Sequence, residues 1–124
     1  MTSGLTIGAV RIFTADIESA LEFYNEKLGL TLLHQDDETA ILDTGQAKLI
    51  VEAADPTTVE EAELIGRFTG FSFTVDSVAE WFSSLRANGV SFDGLPEAQE
   101  WGGALAFFYD PDGNVLTLVE YPKD

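Results

Sequence analysis

An α+β fold built from two βαβββ repeats is predicted by two internal matches in the sequence. The intervals 16–29 and 76–89 have the same length, and each starts with aspartate, ends with glycine and carries apolar residues at helical spacing. The segments 45–52 and 113–120 also match, because each starts with glycine and closes on Val-Glu. The chain of 124 residues fits a single domain. We place the first repeat at about residues 5–53, a connector at 54–68 and the second repeat at about 69–121.

The first repeat follows the order strand, helix and three strands. Residues 5–14 are typical of a strand, Asp16 is placed to cap the helix after it, and Gly29 ends that helix. Three further strands are predicted at 30–34, 39–43 and 47–53. The connector, with Pro56 and several acidic residues, has room for one helical turn.

The second repeat follows the same order. Asp76 is the predicted helix cap and Gly89 the predicted helix end. The strands are predicted at 70–75, 90–92, 101–109 and 114–121, with a loop at 94–100 and an Asp-Pro-Asp-Gly turn at 110–113. A helix covers only one face of a sheet, so each small sheet needs a further covering surface. Pairing of the halves, within or between chains, meets that need, and we expect a homodimer.

The charge balance excludes several classes of partner. The chain has 22 acidic and 6 basic residues, which gives a formal net charge of −16. So negative a surface repels phosphate backbones and anionic lipids, and we expect neither a nucleic-acid nor a membrane partner. The chain has no cysteine, and its first residues carry no pattern typical of a signal peptide. A cytoplasmic location is therefore expected.

Several motifs resemble the vicinal oxygen chelate superfamily, which includes glyoxalase I, bleomycin resistance proteins and extradiol dioxygenases. In the first half these are Asp-Ile-Glu-Ser-Ala at 16–20, Phe-Tyr at 23–24 and Leu-Gly-Leu at 28–30. In the second half they are Phe-Thr-Val-Asp at 73–76, Asn-Gly-Val at 88–90 and Asp-Pro-Asp-Gly-Asn at 110–114. The resemblance covers nearly the whole chain and implies curled sheets that line a ligand cleft, commonly in a dimer.

The same resemblance implies a member without metal. Metal-using members place His or Glu on four inner strand positions, three of which match Ala9, Gly70 and Thr117 here. The fourth position falls at Leu49, Ile50 or Glu52, with the register left open. Three of the four residues supply neither imidazole nor carboxylate, so no metal ligand and no cofactor are expected. The only histidine of the sequence, His34, is expected to be a hairpin residue.

No catalytic residue is assigned from the sequence. Cysteine is absent, and the serines at 72, 83 and 84 have no plausible histidine partner for nucleophilic catalysis. Glu52 and Glu100 remain candidates for acid–base chemistry, although nothing in their spacing distinguishes them. The enzyme alternative is a divergent metal-dependent lyase, isomerase or dioxygenase that uses ligands at other positions.

A set of cleft-facing residues is predicted to bind a small molecule instead. Arg11 and Phe13 share the strand alternation of Ala9, whereas Ser72 and Thr74 share that of Gly70. The predicted ligand-binding residues are Arg11, Phe13, Ile50, Ser72, Thr74, Trp101 and Thr117. Trp101 precedes Asp110 by nine residues, a spacing similar to the bleomycin resistance branch, whose members bind their drug without protein-bound metal.

Alternative roles exist for some of these residues. Trp101, Phe107 and Phe108 either form an aromatic wall of the cleft or belong to the hydrophobic core. Trp81 lies in the apolar stripe of the second predicted helix and is expected in the core. Arg11 is either a cleft anchor or the partner of a carboxylate, because arginine is rarely buried unpaired. Together these features predict a protein that binds an antibiotic or toxic compound and has no catalytic activity.

Overall fold

A computed structural model of the chain describes residues 3–123, which form two compact units divided between Ile65 and Gly66. Each unit contains one four-stranded mixed sheet with a helix packed on one face. The predicted α+β fold with two βαβββ modules is therefore confirmed. In the described residues, no helix is long and apolar enough to cross a membrane.

The first unit contains a sheet with the strand order β1-β4-β3-β2. Its strands are β1 (Ala9–Thr14), β2 (Thr31–Gln35), β3 (Thr39–Asp43) and β4 (Lys48–Ala53), and its helices are α1 (Ile17–Leu21) and α2 (Val59–Ala62). Strand β1 runs parallel to β4, and the other pairs are antiparallel. Side chains alternate between the two faces of the sheet, and those on one face are buried against α1. On that face the following are at most 3% exposed: Ile12, Leu42, Leu49 and Val51.

The helix of the first unit starts and ends where the sequence predicts. The Asp16 carboxylate accepts the backbone N–H groups of Glu18 and Ser19, as an N-cap does. After α1 the backbone widens into a π-helical segment, Glu22–Lys27, that buries Phe23 and Tyr24. Gly29 then takes a positive φ of 78°, which favours glycine and ends the helix.

The second unit has the matching strand order β5-β8-β7-β6. Its strands are β5 (Phe68–Thr74), β6 (Glu97–Ala98), β7 (Ala104–Tyr109) and β8 (Val115–Glu120), and its helix is α3 (Val78–Ala87). Strand β5 runs parallel to β8, with a register shift between Phe68 and Ser72. Gly70 lies inside that shift with φ at +83°, a backbone conformation that few other residues adopt.

Several predicted boundaries are wrong, including that of β7, which starts at Ala104 and not at residue 101. Strand β1 starts at Ala9 and not at residue 5. The second strand of the second repeat is β6, inside the segment predicted as a loop at 94–100, whereas 90–92 contributes only an isolated bridge at Phe92. The cap of α3 is Ser77 and not Asp76, because the Ser77 hydroxyl accepts the N–H of Glu80, as an N-cap does.

The prediction that Trp81 belongs to the core is also wrong. The indole is 38% exposed, whereas Val78 and Leu85 of the same helix are at most 2% exposed. Phe82 joins that buried stripe, with its ring centroid 4.7 Å from the ring of Phe92. Trp81 lies at the border of the stripe, where a side chain of its size is only partly covered.

The Asp-Pro-Asp-Gly turn joins β7 to β8 through buried side chains. One oxygen of the Asp110 carboxylate accepts the N–H groups of Asp112 and Asn114, both at 2.9 Å. The Asn114 amide donates to the other oxygen at 2.8 Å. Its own oxygen accepts the N–H groups of Gly66 and Arg67, at 2.9 and 3.1 Å. These bonds connect the final hairpin to the residues that lead into β5.

Candidate functional site

The candidate site residues of the first unit lie on the sheet face opposite α1, here called the helix-free face. Arg11 and Phe13 alternate with the buried residues of β1, and Ile50 alternates with those of β4. In the parallel register, Arg11 lies opposite Ile50 and Phe13 lies opposite Glu52. The structure therefore brings Arg11, Phe13 and Ile50 together on one face, as their alternation predicts.

The guanidinium of Arg11 is paired with Glu52. Its Nε donates to Oε2 of Glu52, and its Nη2 donates to Oε1 at 3.1 Å, so the contact is bidentate. The guanidinium carbon also lies 5.5 Å from the centre of the Phe13 ring. Through that hydrogen bond and its charge, the Glu52 carboxylate raises the pKa of Arg11. Of the two roles that the sequence left open for Arg11, the structure shows the pair with a carboxylate.

Two further basic side chains of this face have acidic neighbours. Lys48 lies on β4 with its Nζ 3.5 Å from the carboxylate of Asp43. The N–H of Gly45 and the charge of Lys48 together hold the pKa of Asp43 below its ordinary value. His34 lies opposite Ile41 in the hairpin, with its Nε2 2.9 Å from the Asp36 carboxylate. Each basic group of this face is therefore matched by a carboxylate.

The candidate residues of the second unit also share a helix-free face, the one opposite α3. Ser72 lies opposite Thr117, and Thr74 lies opposite Val119. Thr117 in turn lies opposite Phe107 of β7. Ser72 and Thr74 are exposed, whereas Thr117 is 5% exposed and leaves little surface for a ligand.

The aromatic residues of β7 divide between the two faces. Phe107 shares the helix-free face with Thr117, and its ring centroid lies 6.5 Å from that of the exposed Phe68. Phe108 is completely buried on the opposite face, against Phe92. The core alternative therefore holds for Phe108, whereas Phe107 lies on the face that carries Ser72 and Thr74.

Trp101 lies between β6 and β7, at the end of the sheet where β8 finishes. Its ring centroid is 5.7 Å from that of Tyr121, and both rings are about half exposed. The indole lies directly over Gly103, where an added Cβ atom would meet its ring at 2.0 Å. Trp101 is therefore not a core residue, and its exposed partner Tyr121 was missed by the sequence analysis.

The strand register shows which residue occupies the fourth metal-ligand position of the family, which the sequence left open between Leu49, Ile50 and Glu52. Arg11 and Ser72 each lie five residues before the helix caps Asp16 and Ser77, and their partners across the parallel pair are Ile50 and Thr117. Ile50 is therefore the counterpart of Thr117. Leu49 is buried on the helix side and does not share that face.

The residues at these positions do not fit a divalent metal ion. In the first unit Ala9 and Ile50 supply only hydrocarbon, and in the second Gly70 supplies no side chain and Thr117 a single hydroxyl. Within residues 3–123, His, Cys, Asp and Glu form no group of three or more that could hold an ion. Glu52 is the one carboxylate among the former alternatives, and it is engaged with Arg11.

Comparison with known proteins agrees with the fold. The family model of the Glyoxalase/Bleomycin resistance protein/Dioxygenase superfamily matches residues 6–118. A bleomycin resistance protein of Klebsiella pneumoniae is 29% identical over 85% of this chain and 84% of its own length. The uncharacterized protein YraH of Bacillus subtilis is 28% identical over 90% of this chain and 94% of its own length.

Solved structures show the same architecture. A member of the glyoxalase/bleomycin resistance protein/dioxygenase superfamily from Sphaerobacter thermophilus is 28% identical and superposes with a TM-score of 0.76, covering 94% of this chain and 97% of that one. The match of the family model to most of the chain shows the relationship directly. This chain belongs to the Glyoxalase/Bleomycin resistance protein/Dioxygenase superfamily.

Proposed function

We propose that this chain binds a small, partly apolar organic compound, such as an antibiotic or toxic molecule, in the cytoplasm and without protein-bound metal. The observation that carries the proposal is the replacement of metal ligands by Ala9, Ile50, Gly70 and Thr117 on the helix-free faces. None of these side chains carries the charge that would hold a metal, and Ala9 and Gly70, the small residues among them, leave room on their faces.

The other residues of the two faces suit such a ligand. Phe13 and Ile50 offer apolar surface in the first unit, and Ser72 and Thr74 offer hydroxyl groups in the second. Trp101 and Tyr121 add two partly exposed rings on which a flat molecule can stack. Small-molecule sites commonly use apolar surface, aromatic rings and a few polar groups of these kinds. The similarity to the bleomycin resistance protein of Klebsiella pneumoniae supports the same class of function.

The proposal is tested by calorimetric titration of the purified chain with metal-free bleomycin and a panel of aromatic antibiotics, with and without chelator. We expect at least one compound to bind stoichiometrically and equally well in both conditions. The Trp101→Ala variant should weaken that binding by about 1 to 3 kcal/mol if the indole is a contact residue. Trp81→Ala is the matched control, because it removes the other, partly exposed indole from α3.

Elemental analysis of the protein purified without chelator separates the proposal from the enzyme alternative. The proposal expects substoichiometric zinc, nickel, manganese and iron. One equivalent of such a metal per chain, with ligand binding lost on its removal, would overturn it in favour of a metal-dependent lyase, isomerase or dioxygenase. Loss of binding in Trp81→Ala but not in Trp101→Ala would contradict the placement of the site.

A further inference from the structure

We infer that Glu52 determines the charge selectivity of the first helix-free face, by occupying the guanidinium of Arg11 so that aromatic ligands bearing an anionic group are rejected. This inference rests on the proposed function and specifies its ligand class. The preferred ligand is an aromatic molecule without an anionic group.

The first step is the geometry of the pair. Glu52 contacts the Nε and Nη2 atoms of the guanidinium, which form one of its two edges that can bind a carboxylate or sulfonate in a bidentate manner. Phe13 lies opposite Glu52 in the register and beneath the guanidinium, so its ring limits the positions that Arg11 can take. The two side chains therefore hold Arg11 against the sheet.

The second step is competition. An exposed ion pair contributes little to stability, and Arg11 keeps 61% of its side chain exposed. Glu52, however, is attached to the neighbouring strand and competes with free anions at the high effective concentration of an intramolecular partner. An anionic ligand must either displace it or bind the remaining Nη1/Nη2 edge of a guanidinium whose charge Glu52 already neutralises, and in both cases two negative charges lie close together. A neutral or cationic ligand does not meet this cost.

The third step is that the described faces carry no other cationic side chain that is free to bind an anion. In the first unit, the only other Lys or Arg on the helix-free face is Lys48, which lies 3.5 Å from Asp43. In the second unit, the described strand residues of the helix-free face include no Lys or Arg, and the charged residue among them is the acidic Glu97 of β6, opposite Leu105. Removal of the Glu52 carboxylate, which frees the guanidinium of Arg11, is thus the change that should create an anion-binding site.

Two fluorescent probes with one aromatic skeleton test the inference. These are 8-anilinonaphthalene-1-sulfonate, which is anionic, and N-phenyl-1-naphthylamine, which lacks the sulfonate. Dissociation constants are measured by fluorescence titration at about 0.15 M salt, where exposed charges further apart than about 8 Å are screened. The wild-type chain should bind the neutral probe more tightly than the anionic one.

The variants separate a local effect from a change in net charge. Glu52→Gln, and Glu52→Ala with no acceptor at all, should increase affinity for the anionic probe about tenfold or more, with less than about a twofold change for the neutral probe. Adding Arg11→Met to either variant should remove the gain. Glu22→Gln is the matched control, because it changes the net charge equally from an exposed position in the same unit.

Each outcome decides the matter. Three results overturn the inference: an equal gain in affinity for the anionic probe in Glu22→Gln and Glu52→Gln, a gain that survives Arg11→Met, or no gain in either Glu52 variant. In each of these cases the probes still bind, so the proposed function stands. Failure of every variant to bind either probe overturns the proposed function and the inference with it. Thermal unfolding of each variant shows that the comparison is made between folded proteins.

Discussion

The carboxylate of Glu120, at the end of β8, accepts the backbone N–H of Val78, the first residue of α3, at 2.9 Å. The first N–H groups of a helix have no partner within it, and a negative charge is favourable there. Val78 is completely buried, so water cannot readily replace the carboxylate. Glu120 therefore anchors the start of α3 to the last strand of its sheet.

We predict that Glu120→Ala lowers the free energy of unfolding by about 1 to 2 kcal/mol, comparable with the loss of a helix N-cap. Glu120→Gln should cost less, because its amide oxygen keeps the hydrogen bond and loses only the charge. Urea denaturation followed by circular dichroism measures both. Glu100→Ala, at an exposed position before β7, serves as the control and should leave the midpoint unchanged. Equal effects of Glu100→Ala and Glu120→Ala would contradict the anchoring role.

A second prediction concerns Asn114, whose side chain is 2% exposed and connects three backbone or side-chain partners. Asn114→Ala leaves the N–H groups of Gly66 and Arg67 without that acceptor, and it removes a donor from Asp110. A hydrogen bond contributes about 0.5 to 1.5 kcal/mol net, and three are lost, so a total loss of about 2 to 4 kcal/mol is expected. Chemical denaturation should show it, while Gln46→Ala, an exposed amide, should have no comparable effect.

The third prediction concerns pH and Asp36, in the turn of the first hairpin. The contact with His34, followed by the N–H groups of Glu38 and Thr39, lowers the pKa of Asp36 below its ordinary 3.8. A pKa that is lower in the folded than in the unfolded state adds stability above the unfolded value. That stability is lost as the pH falls through the folded value.

The stability that the wild type has over Asp36→Asn should accordingly shrink as the pH falls below about 4. Denaturation midpoints measured across this range test it. Asp37→Asn changes the same charge in the same turn and keeps the hydrogen bonds of Asp36, so it should not reproduce the effect. A difference between wild type and Asp36→Asn that stays constant to the lowest pH would show that Asp36 stabilises the turn by other means.

The fourth prediction concerns assembly. Each sheet is covered by a helix on one face only, and β1 and β5 are edge strands of their sheets. We expect a homodimer that buries more than about 1,200 Å² in total, the usual size of a stable interface. Light scattering at micromolar concentration should give about twice the chain mass of 13.5 kDa. A mass of one chain at every concentration tested would contradict it.

The sequence was sufficient for the elements that depend on local chemistry. The Asp16 cap, the glycine helix ends at Gly29 and Gly89, and the Asp-Pro-Asp-Gly turn are all found where they are predicted. These features act through neighbouring backbone groups, so a few adjacent residues specify them. The choice of Ser77 over Asp76 as a cap was not accessible in this way, because both side chains suit the position and the packing of α3 selects one.

Strand alternation likewise predicted the faces of single strands, and Arg11 and Phe13 share theirs as expected. It could not predict which residues of another strand lie beside them. The pairing of Arg11 with Glu52 spans 41 positions of sequence and depends on the parallel register of β1 and β4. Nothing local in either segment specifies that register.

The matched segments 45–52 and 113–120 show the limit most clearly. Their equal length predicts equivalent places for Glu52 and Glu120, and this is wrong. Ile50 comes five residues after Gly45, whereas its counterpart Thr117 comes four residues after Gly113. A one-residue difference in a strand moves every later side chain to the other face.

The sequence by itself therefore determined the repeat, the family and the lack of metal-ligating side chains at three of the four family positions, since these follow from residue types and their spacing. Only the tertiary structure decided that Glu52 meets Arg11 while Glu120 meets the start of α3. The physical reason is that strand register is set by pairing across the whole sheet, and the two units enter their last strands one residue out of step.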